Sequence, residues 1–90
     1  MSKDPYENLK NELNRNHDWP IVYMFKFIIP SDNEKLAFVQ SRFTAESVIT
    51  TKESANGKYT SITVRETMIS ADEIINKYKE MEGVEGLIAL

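Results

Sequence analysis

The chain has 90 residues, a formal net charge of −3 and no cysteine. This length predicts a single domain, because two hydrophobic cores would each be too small. The lack of cysteine excludes catalytic thiols, disulfides and cysteine-held metal sites. The mixed, mildly acidic charge argues against strong binding to the phosphate backbone of a nucleic acid. No segment has the apolar length of a signal peptide or a membrane span, so we expect a cytoplasmic protein with no membrane partner.

The N-terminal segment is predicted to be a short helix. Asp4, followed three residues later by Glu7, is typical of a helix start. The apolar residues of this segment form one narrow stripe: Tyr6, Leu9 and Leu13. Polar, turn-prone residues follow. We therefore predict a helical appendage with its linker over residues 1–18 and the main domain over residues 19–90.

A central strand is predicted from Ile21 to Ile29. Its odd-numbered positions are all large and apolar, and its even-numbered positions are mostly apolar: Val22, Met24, Lys26 and Ile28. A strand that is apolar on both faces is normally central in its sheet. Lys26 marks the even-numbered face as the more open one.

Two helices are predicted from capping boxes. Ser31 with Glu34 begins a helix that reaches about Phe43, and Ser70 with Glu73 begins a second one that ends near residue 83. Phe38 lies on the opposite side of the first helix from its buried stripe, so it needs a packing partner such as the N-terminal helix.

A hairpin is predicted around Asn56-Gly57, since these residues suit a type I′ turn. It joins strands over residues 46–53 and 59–68. In the second of these strands, apolar residues share one face, and the other face carries mainly polar ones: Tyr59, Ser61, Thr63, Arg65 and Thr67. A last strand is predicted over residues 84–90, interrupted by Gly86.

This order of elements is the α+β, ferredoxin-like βαββαβ sandwich, with an extra N-terminal helix. Two helices cover one face of a four-stranded antiparallel sheet, so the other face is either solvated or covered by something else. The spare apolar residues on the first strand favour a cover.

Two segments carry a family resemblance. Trp19-Pro20-Ile21-Val22-Tyr23-Met24-Phe25-Lys26-Phe27 resembles the opening of the YbeD-like bacterial family, and Ser54-Ala55-Asn56-Gly57-Lys58-Tyr59-Thr60-Ser61-Ile62-Thr63-Val64 is similar to its hairpin. The resemblance implies a ferredoxin-like fold related to the ACT regulatory domains, which bind small effectors and pack side by side. It implies no established activity and no catalytic residues. Ile28-Ile29-Pro30-Ser31 stands where such a domain would have a glycine, which argues against an ACT-type ligand site at that loop.

The candidate binding surface is the open sheet face, with these residues: Met24, Lys26, Tyr59, Ser61, Thr63 and Arg65. Lys26 with Arg65 would suit an anion. A second set of apolar residues is expected to pack together or to contact a partner: Tyr6, Leu9, Leu13 and Phe38. The alternative to a binding role is that the hairpin residues serve only local packing and hydrogen bonding.

No catalytic, cofactor or metal site is predicted. His17 beside Asp18 resembles a base with its orienting carboxylate, but no nucleophile accompanies the pair. The acidic pairs Asp32 with Glu34 and Asp72-Glu73 suit helix starts better than a divalent ion.

We therefore predict a non-catalytic binding or regulatory module. It would contact an unknown protein partner or a second copy of itself, and could also sense a small effector. The alternative is RNA recognition on the open face, although one aromatic residue on the third strand is fewer than that function requires. The N-terminal helix is expected to cover either Phe38 or the open face, in the same chain or in a dimer mate.

Overall fold

The computed structural model describes residues 4–90, so the first three residues of the predicted appendage lie outside it. The helices and strands follow in this order: α1 (Glu7–Asn16), β1 (Ile21–Pro30), α2 (Asn33–Ser41), β2 (Val48–Glu53), β3 (Tyr59–Met68), α3 (Ala71–Met81) and β4 (Ile88–Ala89).

The four strands form one antiparallel sheet in the order β2-β3-β1-β4. The two central strands pair along their whole length, from Ile21 opposite Met68 to Pro30 opposite Tyr59. This order, with α2 and α3 as the two connecting helices, is the ferredoxin-like arrangement. The predicted fold, including its extra N-terminal helix, is confirmed.

The core lies between the sheet and its helices. Phe25, Phe27 and Ile29 of β1 are fully buried, and so are Val64 and Met68 of β3. The alternating side chains point the other way and remain more exposed, which is the period-two pattern of a half-buried sheet. The prediction that the Lys26 side of β1 is the open one is therefore correct.

The N-terminal helix packs against α3. Leu13 of α1 is buried in the core, the ring of Tyr6 stacks on that of Tyr78 at 6.5 Å, and Lys10 Nζ pairs with Asp72 at 3.0 Å. The expectation that this helix covers Phe38 or the open face within the chain is wrong, because α3 offers it both an aromatic ring and a carboxylate. Phe38 remains 40% exposed, with the guanidinium of Arg42 over its ring.

The first connecting helix is capped differently from the prediction. The carboxylate of Asp32 accepts hydrogen bonds from the backbone N–H groups of Glu34 and Lys35, at 2.8 and 3.2 Å. The Ser31 hydroxyl instead bonds to that of Thr60, on β3. The predicted Ser70 cap of α3 is confirmed, since its hydroxyl accepts from the N–H of Glu73.

The hairpin turn and the last strand also differ from the prediction. Gly57 has a φ of 73°, whereas among the described residues no residue other than glycine has a positive φ, so Asn56 does not form a type I′ turn. The Asn56 side chain instead accepts from Lys58 N–H and Ser54 Oγ. β4 is shorter than predicted because Gly86 turns the chain, with a φ of 82°, against the ring of Pro30.

Candidate binding surface on the open sheet face

The surface opposite the core is built from alternate residues of all four strands. We call it the open face, and its members are Val22, Met24, Lys26, Ile28, Val48, Thr50, Lys52, Tyr59, Ser61, Thr63, Arg65, Thr67, Ile88 and Leu90. Direct cross-strand neighbours share a face in an antiparallel sheet. Their positions therefore follow from the register, in which Met24 lies opposite Arg65 and Lys26 opposite Thr63.

The structure brings four of the six predicted surface residues around one shallow depression. Met24, Lys26, Thr63 and Arg65 line it, together with residues of β2. Tyr59 and Ser61 lie further along β3, beside Ile28 and Lys52. The six residues thus share one face but divide between two adjacent depressions.

Several residues of the open face are missing from the sequence prediction: Val48, Thr50, Lys52, Ile88 and Leu90. In β2, threonines and charged residues occur on both sides, so the alternation does not reveal which face is open. The register supplies the assignment, since β2 places Val48 opposite Arg65 and Thr50 opposite Thr63.

The open face is electropositive although the chain as a whole is acidic. It carries Lys26, Lys52 and Arg65, and none of its members is Asp or Glu. The ion pairs found among residues 4–90 join Lys10 to Asp72 and Lys77 to Glu80, away from this face. Neither of these ion pairs involves Lys26, Lys52 or Arg65. Among the described residues, Glu53 lines the depression beside Lys52, whereas the side chains that line the depression of Lys26 and Arg65 include no carboxylate.

Exposed apolar side chains share the open face with these cations. Val22 and Val48 are 69% and 62% exposed, and Met24, Tyr59, Ile88 and Leu90 are also exposed. Isolated apolar residues on a surface are ordinary, but apolar residues grouped on one face commonly mark an interaction site.

The second predicted set is divided by the structure. Leu9 and Leu13 of α1, and Tyr6 immediately before it, pack toward α3 and the core. Phe38 lies apart from them, on α2, in a shallow depression beside Val84. These four residues therefore do not form one cluster.

Two side chains considered above for acid-base or metal chemistry make contacts that stabilise the fold. The ring of His17 lies edge-on to that of Trp19, at 6.3 Å, and Asp32 caps α2. Among the described residues, no group of three or more His, Cys, Asp or Glu side chains is arranged to hold a metal ion.

A buried carboxylate, that of Glu66, was not predicted from the sequence. Glu66 is 8% exposed, and its Oε1 accepts from both the backbone N–H and the hydroxyl of Thr44, at 2.7 and 2.5 Å. Its position among the inward-facing residues of β3 was a signal that the sequence contained. The sequence does not reveal its hydrogen-bond partner, because Thr44 lies in the loop between α2 and β2, far from Glu66 along the chain.

Tyrosine hydroxyls tie the helical layer together. The hydroxyls of Tyr23 and Tyr78 are 2.9 Å apart, and Tyr6 donates to Glu82 at 2.5 Å. Burial and the bond to Tyr23 raise the pKa of Tyr78, and the hydrogen bond to Glu82, ahead of burial, raises the pKa of Tyr6 to about 12. Both phenols therefore stay protonated at neutral pH and act as structural contacts.

The fold and this surface define a small ferredoxin-like α+β domain with an open, electropositive sheet face. The sequence model of the family described as "Protein of unknown function (DUF493)" matches residues 14–90. The chain belongs to this family, and the predicted YbeD-like membership is confirmed.

Relatives of the same kind occur in Shewanella. A UPF0250 protein of Shewanella putrefaciens (strain CN-32) is 36% identical over 75 residues, which cover 78% of this chain and 84% of the relative. A UPF0250 protein of Shewanella sp. (strain ANA-3) is 33% identical over the same shares. No solved structure matches the chain. Within residues 4–90, no helix has the length and apolar character needed to cross a membrane.

Proposed function

We propose that this chain is a non-catalytic protein-interaction module that works in the cytoplasm and docks its partner on the open face. The observation that carries this proposal is the group of exposed aliphatic side chains around Lys26 and Arg65. Burying such side chains against a partner would release about 25 cal/mol per Å² of apolar surface before the costs of association. The absence of cysteine fits a reducing compartment.

The aromatic residues favour a protein over RNA as the partner. Single-stranded RNA is held by aromatic side chains on which bases stack. Phe25 and Phe27 of β1 point into the core, and Tyr59 is the aromatic side chain that the described open face presents. Aliphatic and methionine side chains, as at Val22 and Met24, suit a protein surface better.

The polar groups support a role without catalysis. Catalysis by acid-base or nucleophilic chemistry needs a reactive group with a second group that activates it. Oε1 of Glu66 accepts two hydrogen bonds from Thr44, and the ring of His17 lies edge-on to that of Trp19. Neither belongs to such an arrangement.

The proposal can be tested with one blocking substitution. Thr63→Trp places a bulky neutral side chain at the centre of the open face, and Asn11→Trp places the same side chain on the exposed side of α1 as a matched control. Each immobilised full-length protein would be exposed to extract from the source cells, with circular dichroism to verify folding. We expect the wild type and Asn11→Trp to retain the same protein and Thr63→Trp to lose it. Retention by all three, or by none, would contradict the proposal.

A small anionic effector is the second candidate. It is favoured by the depression between Lys26 and Arg65, whose threonine hydroxyls could donate hydrogen bonds. An effector that binds the native state would raise the melting temperature. A thermal-shift series with amino acids, nucleotides and short carboxylic acids tests this candidate.

A further inference from the structure

We infer that the partner of the open face is an acidic protein surface, one of whose side-chain carboxylates occupies the depression between Lys26 and Arg65. This inference rests on the proposed docking function and adds the chemistry of the partner. It follows from the positions of the two cations, from the charge of the face and from what a second copy of the chain would present.

The register places the two cations at a suitable separation. Lys26 lies opposite Thr63, and Arg65 lies opposite Met24, so the cations are diagonal neighbours on adjacent strands. Diagonal neighbours are about 7 Å apart between Cα atoms, which both long side chains can bridge toward one ligand. Thr50 and Thr63 line the same depression. Ammonium, guanidinium and hydroxyl donors therefore converge where one carboxylate could accept from several of them.

A partner that covers Lys26 and Arg65 has to supply negative charge to balance them. Covering an ionised Lys or Arg with an apolar surface removes its hydration, and this is costly unless an opposite charge compensates. The side chains that line the depression of Lys26 and Arg65 include no carboxylate. A partner that covers Lys26 and Arg65 must therefore bring acidic groups, in addition to apolar groups for Val22, Met24 and Val48.

A second copy of this chain that presents the same face does not meet that requirement. Two identical faces related by a two-fold axis would present the same cations to each other. Opposing like charges reduce association and oppose the apolar contacts. The geometry thus favours a different, acidic protein over a homodimer through this face.

The experiment uses charge reversal with a matched control. Lys26→Glu/Arg65→Glu reverses the two central cations, whereas Arg15→Glu/Lys58→Glu makes the same change in net charge at exposed positions outside the strands. Affinity for the partner retained by the wild type would be measured by calorimetry at low and high salt. We expect at least a tenfold loss for the first variant, little change for the second, and weaker wild-type binding at high salt.

A compensating change in the partner completes the test. Cross-linking to Lys26 would identify the nearest acidic residue of the partner. Replacing that residue by lysine should restore binding of Lys26→Glu/Arg65→Glu, because the ion pair is reformed with its charges exchanged.

The possible failures separate the two proposals. A partner that is lost with Thr63→Trp but is insensitive to salt and to charge reversal would retain the docking function and refute the acidic partner. Self-association through the open face, capture of RNA there, or a free carboxylic acid as its only ligand would refute it as well. No capture by the wild type would refute both.

Discussion

Glu66 is the residue whose surroundings constrain substitution most clearly. Its carboxylate holds the backbone N–H and the hydroxyl of Thr44, and so fastens the connection between α2 and β2 to the central strand β3. Glu66→Ala removes both hydrogen bonds that the buried carboxylate accepts, so we expect it to lower the free energy of unfolding by about 1–3 kcal/mol. Urea denaturation measures the change.

Two controls isolate the hydrogen bonds of Glu66. Glu66→Gln retains an acceptor oxygen of the same shape and should lose less stability, while Thr44→Ala removes the hydroxyl and keeps the N–H. A Glu66→Ala protein as stable as the wild type would contradict the assigned role.

Tyr6 should make the fold sensitive to alkali. The hydrogen bond to Glu82 raises its pKa to about 12 in the folded protein, above the ordinary value of 10. Above the ordinary value the unfolded chain releases this proton more readily, so the stabilisation is present below about pH 10 and is lost as the pH rises toward 12.

Tyr6→Phe tests that sensitivity. The variant should lose stability less steeply between these pH values, and an ultraviolet absorbance titration should lack one late-ionising phenol. Tyr59→Phe, on the opposite side of the sheet, serves as the control. Identical alkaline titrations of wild type and Tyr6→Phe would count against the hydrogen bond.

At the scale of elements, regular patterns made the strands and helices predictable. The apolar odd-numbered residues of β1 and the alternation of β3 specify strands whatever their partners, because a side-chain period of two is a local property. The stripe of α3 and its Ser70 cap are local in the same way.

The errors arose where two local choices were nearly equal. Ser31 and Asp32 can both cap a helix, and the contact of Ser31 with Thr60 on a distant strand decides between them. Likewise, an Asn-Gly pair fits more than one hairpin loop, and the pairing of Ser54 with Tyr59 sets the loop length here. The place of α1 depended on Tyr78 and Asp72, which are far away in sequence.

Replacing each of the three glycines of the chain by alanine should lower stability by different amounts. Gly83→Ala should be nearly neutral, because a methyl group there meets open space. Gly57→Ala adds a side chain at positive φ, also in open space, and should cost about 1 kcal/mol. Gly86→Ala should cost more, since the added Cβ lies 2.7 Å from Pro30 Cγ and φ is again positive.

Urea unfolding of these three variants gives the ranking directly. The order Gly83, Gly57, Gly86 is expected from smallest to largest loss. A Gly86→Ala protein more stable than Gly57→Ala would show that the approach to Pro30 does not constrain the loop before β4.

The attachment of α1 can be measured through Leu13. This side chain is buried among core residues, so Leu13→Ala should lower the free energy of unfolding by about 2–3 kcal/mol. Asn11→Ala, on the exposed side of the same helix, is the control and should change it little. Equal stability of the two variants would mean that α1 adds nothing to the core.

For the whole molecule, the main property is the difference between its acidic total charge and its basic open face. We expect the cations of that face to prevent association between copies. Lys26→Leu/Arg65→Leu should therefore form dimers or larger species in sedimentation experiments, while wild type and Arg15→Leu/Lys58→Leu stay monomeric under the same conditions. A monomeric double-leucine variant would contradict this role.

The sequence located part of this surface, for a clear physical reason. Alternation in β1 and β3 placed Met24, Lys26, Thr63 and Arg65 on one side before any register was known. Whether Val48 and Thr50 lie on the same side depends on how β2 aligns with β3. Whether Ile88 does so depends on where β4 pairs with β1. Such alignments are set by long-range contacts, which a single sequence does not specify.

The brevity of β4 has a consequence for motion. This strand pairs with β1 through Phe27 opposite Ala89 and Ile28 opposite Ile88, while β1 and β3 pair along their full length. Local opening costs least where few contacts hold a segment, so β4 should detach and return while the rest of the sheet stays folded. In a hydrogen-exchange experiment, the amide hydrogens of its residues would then exchange for deuterium long before those of Phe25 or Val64. Each such opening would briefly leave the outer edge of β1 beside Lys26 without a neighbouring strand.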